Sequence, residues 1–540
     1  MANCVITSEH VFSSEPHVDK SQPLAILVQD GLIRRVCLRD EARDLAREAN
    51  AELVDFGNAF VCPGFHDAHQ HVFHAALFPS ELAAEFVGTS EADCVARMAE
   101  FAAAHPGDGW LLSHGWREAL WDTPVIPTRT SLDVAFPDRP VAMYSGDAHT
   151  LWVNSAGLER LGIDRTTQPP AGGSFDRFEN GELTGVIREA AGMFYVARVL
   201  ADFDDEELAR IYRSYFARLS AMGITSVCDM ALNVIPGADG INEHIYQRLL
   251  DADQLDVRVS MFPCLSAGGR EVIQARERLD GRMLRMPAFK QFFDGVSSQH
   301  TAWCTEPYEN ARFVGDRGRA TIDHATMRDL VMGAYATGQG TRIHTIGDAA
   351  VAAALDIFEE AQATYGPRDG AYFSLEHIED IQPEDIGRLA RLGVIASVQP
   401  PHVTIDLTQP ARDLGAWRAK RMWPFRELLD AGATLALGTD TPTVAPNSLD
   451  VLWCAIWRSQ PLTRKPVGGW YAEHAITRAE AIRAYTSGSA SAAGRSDVGR
   501  LAPGQLADIA VWDHDLLTVD ADEFLSSRCL ATFVGGRRVH

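Results

Sequence analysis

The chain has 540 residues, 46% of them hydrophobic and 23% charged, and a formal net charge of −24. That balance belongs to an ordinary globular protein and excludes wholesale disorder, and at this length a large core can be buried without covalent staples. The acidic excess argues against nucleic acid or an anionic membrane surface as the main partner, because both reward clustered Lys and Arg.

No run approaches 18 consecutive apolar residues, so no transmembrane helix is expected. The opening ten residues lack a basic stretch followed by an apolar one, so no signal peptide is expected either. Nine Cys are widely scattered and none is spaced as C-x-x-C, which fits buried thiols in a reducing compartment; cytoplasmic is the default location.

In chain order, Ala25–Gln29, the Asp30-Gly31 turn and Leu32–Val36 read as a β-hairpin. The last forty residues repeat that style, with a strand at Asp508–Trp512 and a hairpin end over 532–539. Two β-rich termini that share one small sheet would make a single domain interrupted by a larger one. The middle alternates. Apolar β runs at 223–227, 257–261, 289–293, 340–344, 373–377, 393–398 and 433–438 are separated by helix-like stretches such as 205–222 and 326–337. That alternation indicates parallel βαβ units. Adding the run Ala59-Phe60-Val61-Cys62 gives eight strands, the number of a (β/α)8 TIM-like barrel, whose chemistry sits at the C-terminal strand ends. Residues from about 75 to 200 do not fit the repeat and read as an insertion rich in Trp and other aromatics.

The densest chemical signal is Pro63-Gly64-Phe65-His66-Asp67-Ala68-His69-Gln70-His71. Side chains alternate along a strand, so His69 and His71 face the same way and can chelate one Zn2+ ion. With 18 His in the chain, about 0.6 H-x-H pairs arise by chance, so the pair needs company. His344, His377 and Asp440 supply it, each at the C-terminal end of an expected strand. Lys290 lies inside the apolar run 289–293, where a free ammonium ion is costly. It either pairs with a carboxylate, snorkels out, or becomes a metal-bridging ligand after carbamylation by CO2.

With these residues in place, the chain resembles the amidohydrolase superfamily, and within it the amidohydrolase-3 branch that contains N-substituted formamide deformylase. Supporting segments are Asp147–Ser155, Thr184–Glu189, Asp294-Gly295, His344–Asp348, Glu376-His377, Ser397–His402, Gly438–Pro442 and Val498–Val511. The resemblance implies a (β/α)8 barrel over 61–490, with the insertion at about 75–200, beside a small β-sandwich built from 1–60 and 491–540. It also implies one or two divalent ions, usually zinc. His69, His71 and Asp440 would hold one ion, His344 and His377 the other, with an N6-carboxylated Lys290 bridging them. The implied reaction is cleavage of an amide or N-substituted formamide C–N bond by a metal-activated hydroxide, with Asp440 as proton shuttle. The same site on this scaffold can instead serve ester hydrolysis, decarboxylation or isomerisation, and a non-catalytic binding relative is the remaining alternative. The expected partner is a small amide-type molecule, with no nucleic acid and no membrane. A homodimer stays open.

Arg342, where a second His often stands, and Thr439 and Thr441, which flank Asp440, depart from the family pattern and are expected where substrate lies. His149 is the second candidate catalytic residue: it either joins the insertion's own hydrogen bonds or polarises substrate over the barrel mouth. Gln399-Pro400-Pro401-His402 either brings His402 near the site or simply shapes a loop. His66 and His74 fall out of phase with the chelating pair and are read as structural. Trp116, Trp121, Trp152 and Trp303 either line an apolar pocket or belong to a core.

Overall fold

The computed structural model describes residues 3–146, 150–170, 173–232, 239–266 and 281–540. The chain divides into two compact units. One comprises Met1–Val72, Tyr215–Val234 and Tyr246–His540; the other comprises Phe73–Ser214 and Ile235–Ile245. Among the described residues no helix is long and apolar enough to cross a membrane.

In the first unit, eight parallel strands follow the order of the sequence. Phe65–Gln70, Ile224–Met230 and Arg258–Phe262 pair in one sheet; Ala288–Phe292, Gly340–Thr345, Phe373–His377, Ile395–Val398 and Leu435–Leu437 pair in another. Two bridges, Cys264 with Lys290 and Gln70 with Thr441, join the sheets at both seams. Such an order is consistent with a (β/α)8 barrel. Helices separate the later strands for readable reasons. Pro383 starts the helix Pro383–Leu392 at a position needing no N–H, and Gly393 ends it in the left-handed conformation that glycine tolerates.

Both termini contribute to one eight-stranded sheet, in which Cys4–Val11 is central and Ile509–Trp512 joins it through Phe60–Pro63. The hydrogen bonds run through a single continuous sheet, not through two separately bonded ones. Its residues Ile6, Ile26, Val61, Ile509 and Phe533 pack in one core, while Leu45 and Ala46 of the helix Ala42–Glu48 cover Val5 and Leu27 on the other face. The hairpin turn has Asp30 and Gly31 both at positive φ (53° and 77°), as the tight turn between right-twisted strands demands. One expectation fails here. The run 59–62 is not the first barrel strand but an element of the terminal sheet; the first parallel strand is Phe65–Gln70, beyond the break at Pro63-Gly64.

Arg258 on the third parallel strand and Asp508 beside the terminal strand form a bidentate pair at 2.6 and 2.8 Å, with both side chains buried. Asp508 Oδ1 also accepts from Gly535 N. This pair ties the terminal sheet to the parallel strands.

The second unit has its own six-stranded sheet, in the order Gly173–Arg177, Leu183–Glu189, Thr150–Val153, Val141–Ser145, Leu111–Trp116, Ala83–Glu85. Trp116, Trp121 and Trp152 belong to its core with Leu111, Met143 and Val186, so these three are packing residues and not a pocket lining.

Asp508→Ala strands a buried guanidinium, and is expected to lower unfolding stability by about 3–5 kcal/mol. Chemical denaturation of the variant against the parent checks this; a loss below about 1 kcal/mol would contradict the tie.

Candidate metal centre

His69, His71, Lys290, His344, His377 and Asp440 all end up buried at or near the C-terminal ends of the parallel strands. Asp440 Oδ1 lies 3.2 Å from His71 Nε2 and 3.3 Å from His69 Nε2. Ligand atoms of His69, His377 and Asp440 lie within 4.8 Å of one another. The His377 ring centroid is 5.1 Å from that of His69 and 4.4 Å from that of His344. Lys290 Nζ stands 4.7 Å from the centroid of the Phe292 ring. Burial pulls the Lys290 pKa down to about 8, against the opposing influence of Glu376 and Asp440.

The protons on the imidazoles are committed elsewhere. His69 Nδ1 donates to Glu376 Oε2 at 2.7 Å, His71 Nδ1 to the Met230 carbonyl at 2.9 Å, and His344 Nε2 to the Gly295 carbonyl at 3.2 Å. Burial and the nearby Lys290 depress the pKa of His69 to about 4 and of His344 to about 3, so both rings are neutral at pH 7. The Nε2 of His69 is therefore a lone pair. It faces the carboxylate Oδ1 of Asp440 at 3.3 Å with no proton between them. His69 Nε2, His377 Nδ1, Lys290 Nζ and Asp440 Oδ1 are all buried without a hydrogen-bond partner. Leaving such groups unpaired costs about 1–3 kcal/mol each. Converging imidazole nitrogens and a carboxylate oxygen are the donor set of a divalent transition metal, so the residues present fit one.

Two features hold this geometry. His377 and Asp440 both adopt positive φ, 73° and 60°, a strained conformation for residues with a side chain and one that concentrates at functional sites. Gly438 lets the eighth strand approach the first: a Cβ there would sit 2.6 Å from His69 N.

Arg342 is not at the substrate position expected of it. Its side chain is fully buried, with Nε donating to Glu376 Oε1 at 2.8 Å and one terminal nitrogen donating to Glu376 Oε2, Ala68 O and Ser397 Oγ at 3.0, 2.7 and 3.0 Å. It shares a face with His344 but lies two residues deeper, so it sits beneath the ligands and fixes the carboxylate that fixes His69. Burial alone would raise the Glu376 pKa; Arg342 and His69 hold it well below the usual carboxylate range. Thr439 and Thr441 likewise turn inward, Thr441 Oγ1 donating to Thr439 Oγ1 at 2.8 Å.

Sequence reasoning named Glu376 only as part of a motif and missed its role, as it did for Asp294. The Asp294 carboxylate accepts from Ile346, Gly347 and Trp303 N–H groups and so anchors the chain just after His344. No spacing rule signals either contact, because each joins separate strands. His402 does come near: its Nε2 is 3.7 Å from Asp440 Oδ2 and its Nδ1 3.7 Å from Glu379 Oε1. His66 stays apart, 3.6 Å from Cys228 Sγ, with burial driving its pKa to about 3. His74 packs against Phe73 and Phe78 in the second unit. Trp303 packs edge-on to Phe293. His149 lies outside the described residues.

Imidazoles and a carboxylate that converge in this way at strand ends could hold a metal ion. The chain belongs to the amidohydrolase family, whose model matches residues 52–540. Among its relatives, protein LONG AFTER FAR-RED 3 of Arabidopsis thaliana is 28% identical, covering 100% of this chain and 92% of that protein. N-substituted formamide deformylase of Arthrobacter pascens is 25% identical, over 95% of this chain and 94% of its own. A solved metal-dependent hydrolase from Pyrococcus horikoshii OT3 shares the fold with a TM-score of 0.79 at 23% identity, covering 96% of this chain and 99% of that one.

Glu376→Gln keeps the shape but weakens the hold on His69 Nδ1. We expect zinc affinity to fall about 10- to 100-fold, measured by chelator competition. Unchanged affinity would contradict the role assigned to Glu376.

Proposed function

We propose that this chain is a zinc-dependent amidohydrolase that cleaves the C–N bond of an amide or N-substituted formamide, using a (β/α)8 barrel as its scaffold. The observation that carries the reading is the convergence of ligand atoms of His69, His377 and Asp440, all buried, within 4.8 Å of one another. His69, His71 and Asp440 would hold one ion, and His344 and His377 a second. A divalent ion there lowers the pKa of a water towards about 7 and polarises the carbonyl under attack.

The residues supply the rest. Lys290 at a pKa of about 8 has about a tenth of its amine neutral at pH 7, and only the neutral amine can attack CO2. The new N–C bond and the lost proton convert a cation into an anionic oxygen donor, the N6-carboxylated bridge. Asp440 offers its two oxygens to different partners. Oδ1 turns to His69 and His71, while Oδ2 is 3.7 Å from His402 Nε2 and accepts from Thr443 Oγ1 at 3.4 Å. Oδ2 is thus the atom to hold the proton released by the attacking water and to pass it to the leaving nitrogen. The Arthrobacter relative supports a formamide, since that protein's name is N-substituted formamide deformylase.

Asp440→Asn removes the proton-accepting oxygen without changing the side chain's size. Hydrolysis of every accepted amide is expected to fall at least about 10²–10⁴-fold, followed by amine release from a panel of formamides and N-acyl amines. Rates equal to the parent's would reject the reaction as written.

A further inference from the structure

Among the described residues, Gln399 is a buried polar group at these strand ends that the ligands and their supports leave unused. The seventh parallel strand, Ile395–Val398, runs directly into Gln399 at φ −117° and ψ 89°. Side chains alternate along an extended chain, so Gln399 shares its face with Ser397. Ser397 Oγ accepts from Arg342, which places that face toward the Arg342–Glu376 pair under His69. Gln399 is one pleat nearer the C-terminal strand ends, on the ligand side of that pair.

Gln399 is 1% exposed, and neither its Oε1 nor its Nε2 has a hydrogen-bond partner. The local sequence explains why the backbone gives it none. Pro400 and Pro401 have no N–H, and the N–H of His402 is spent on the Gln399 carbonyl at 3.0 Å. Buried carboxamides are paired in the great majority of cases, and each missing bond costs about 1–3 kcal/mol. A cation would satisfy Oε1 alone and leave the NH2 group unpaired. The two atoms together need a donor and an acceptor, and an amide-type substrate offers an N–H and a carbonyl oxygen.

We propose that Gln399 is a specificity-determining residue that reads the amide group of the substrate, its Oε1 accepting the amide N–H and its Nε2 donating to a carbonyl oxygen. The inference rests on the amidohydrolase reading and sharpens it: the site selects amides over the matching esters. A site built to bond an N–H rejects the analogue lacking it, since its own buried acceptor is then stranded.

The test uses the metal-loaded full-length protein and a matched pair, N-benzylformamide and benzyl formate, which differ only in N–H against O. The readout is the ratio of kcat/KM for amide over ester, in the parent and in Gln399→Met. A ratio about 10- to 100-fold lower in Q399M, with metal content unchanged, is expected. An unchanged ratio overturns the proposal. So does loss of metal from Q399M, since the carboxamide would then serve the cation. If the parent hydrolyses neither probe, the reaction proposed above has failed. The same ratio, taken from calorimetric Kd values for the two molecules, then decides the role of Gln399 separately. Should Q399M not fold, Gln399→Glu keeps the acceptor and loses the donor. It should lower both kcat/KM values about 10-fold while holding their ratio, and parent-like values for both substrates would overturn the proposal.

Discussion

Electron pairs that face one another without a proton are the constraint on which this structure turns. His69 gives its Nδ1 proton to Glu376, and His71 gives its own to the Met230 carbonyl. What remains on the neutral His69 ring is a lone pair that points at Asp440 Oδ1, 3.3 Å away. Repulsion of that kind persists only where the surrounding packing enforces it, and a cation between the atoms would relieve it.

The enforcement comes from below. Arg342 occupies the interior of the ring of strands and bonds Glu376 through two nitrogens while also reaching Ala68 O, the backbone just before His69. A buried ion pair contributes little net stability, and apolar residues of equal volume often do as well. Its value here is positional. One guanidinium fixes the carboxylate that fixes the tautomer of a ligand, the support by which metal sites commonly orient their histidines. The left-handed conformations of His377 and Asp440 add strain at the same level, so the strand ends are ordered for chemistry at the expense of local stability.

Much of this arrangement is legible in one dimension. The Asp30-Gly31 hairpin, seven of the parallel strands and the shared face of His69 and His71 follow from turn chemistry and from a period of two. Depth is what the period does not encode. Arg342 and His344 share a face, yet two residues of rise separate a supporting residue from a ligand. The apolar run 59–62 suits either sheet; only pairing to Ile509–Trp512 assigns it to the terminal one. Trp116, Trp121 and Trp152 read equally as pocket or core until neighbours are known. Glu376 and Gln399 gained their meaning from contacts, or from the lack of them, between residues far apart in the chain.

The most direct measurement is metal content per chain, by elemental mass spectrometry, on protein purified without chelator and on its His69→Ala variant. The account predicts one to two equivalents of zinc in the parent, two if Lys290 is carboxylated, and a clear loss in the variant. A parent chain that holds no metal and takes up none from added zinc would contradict it.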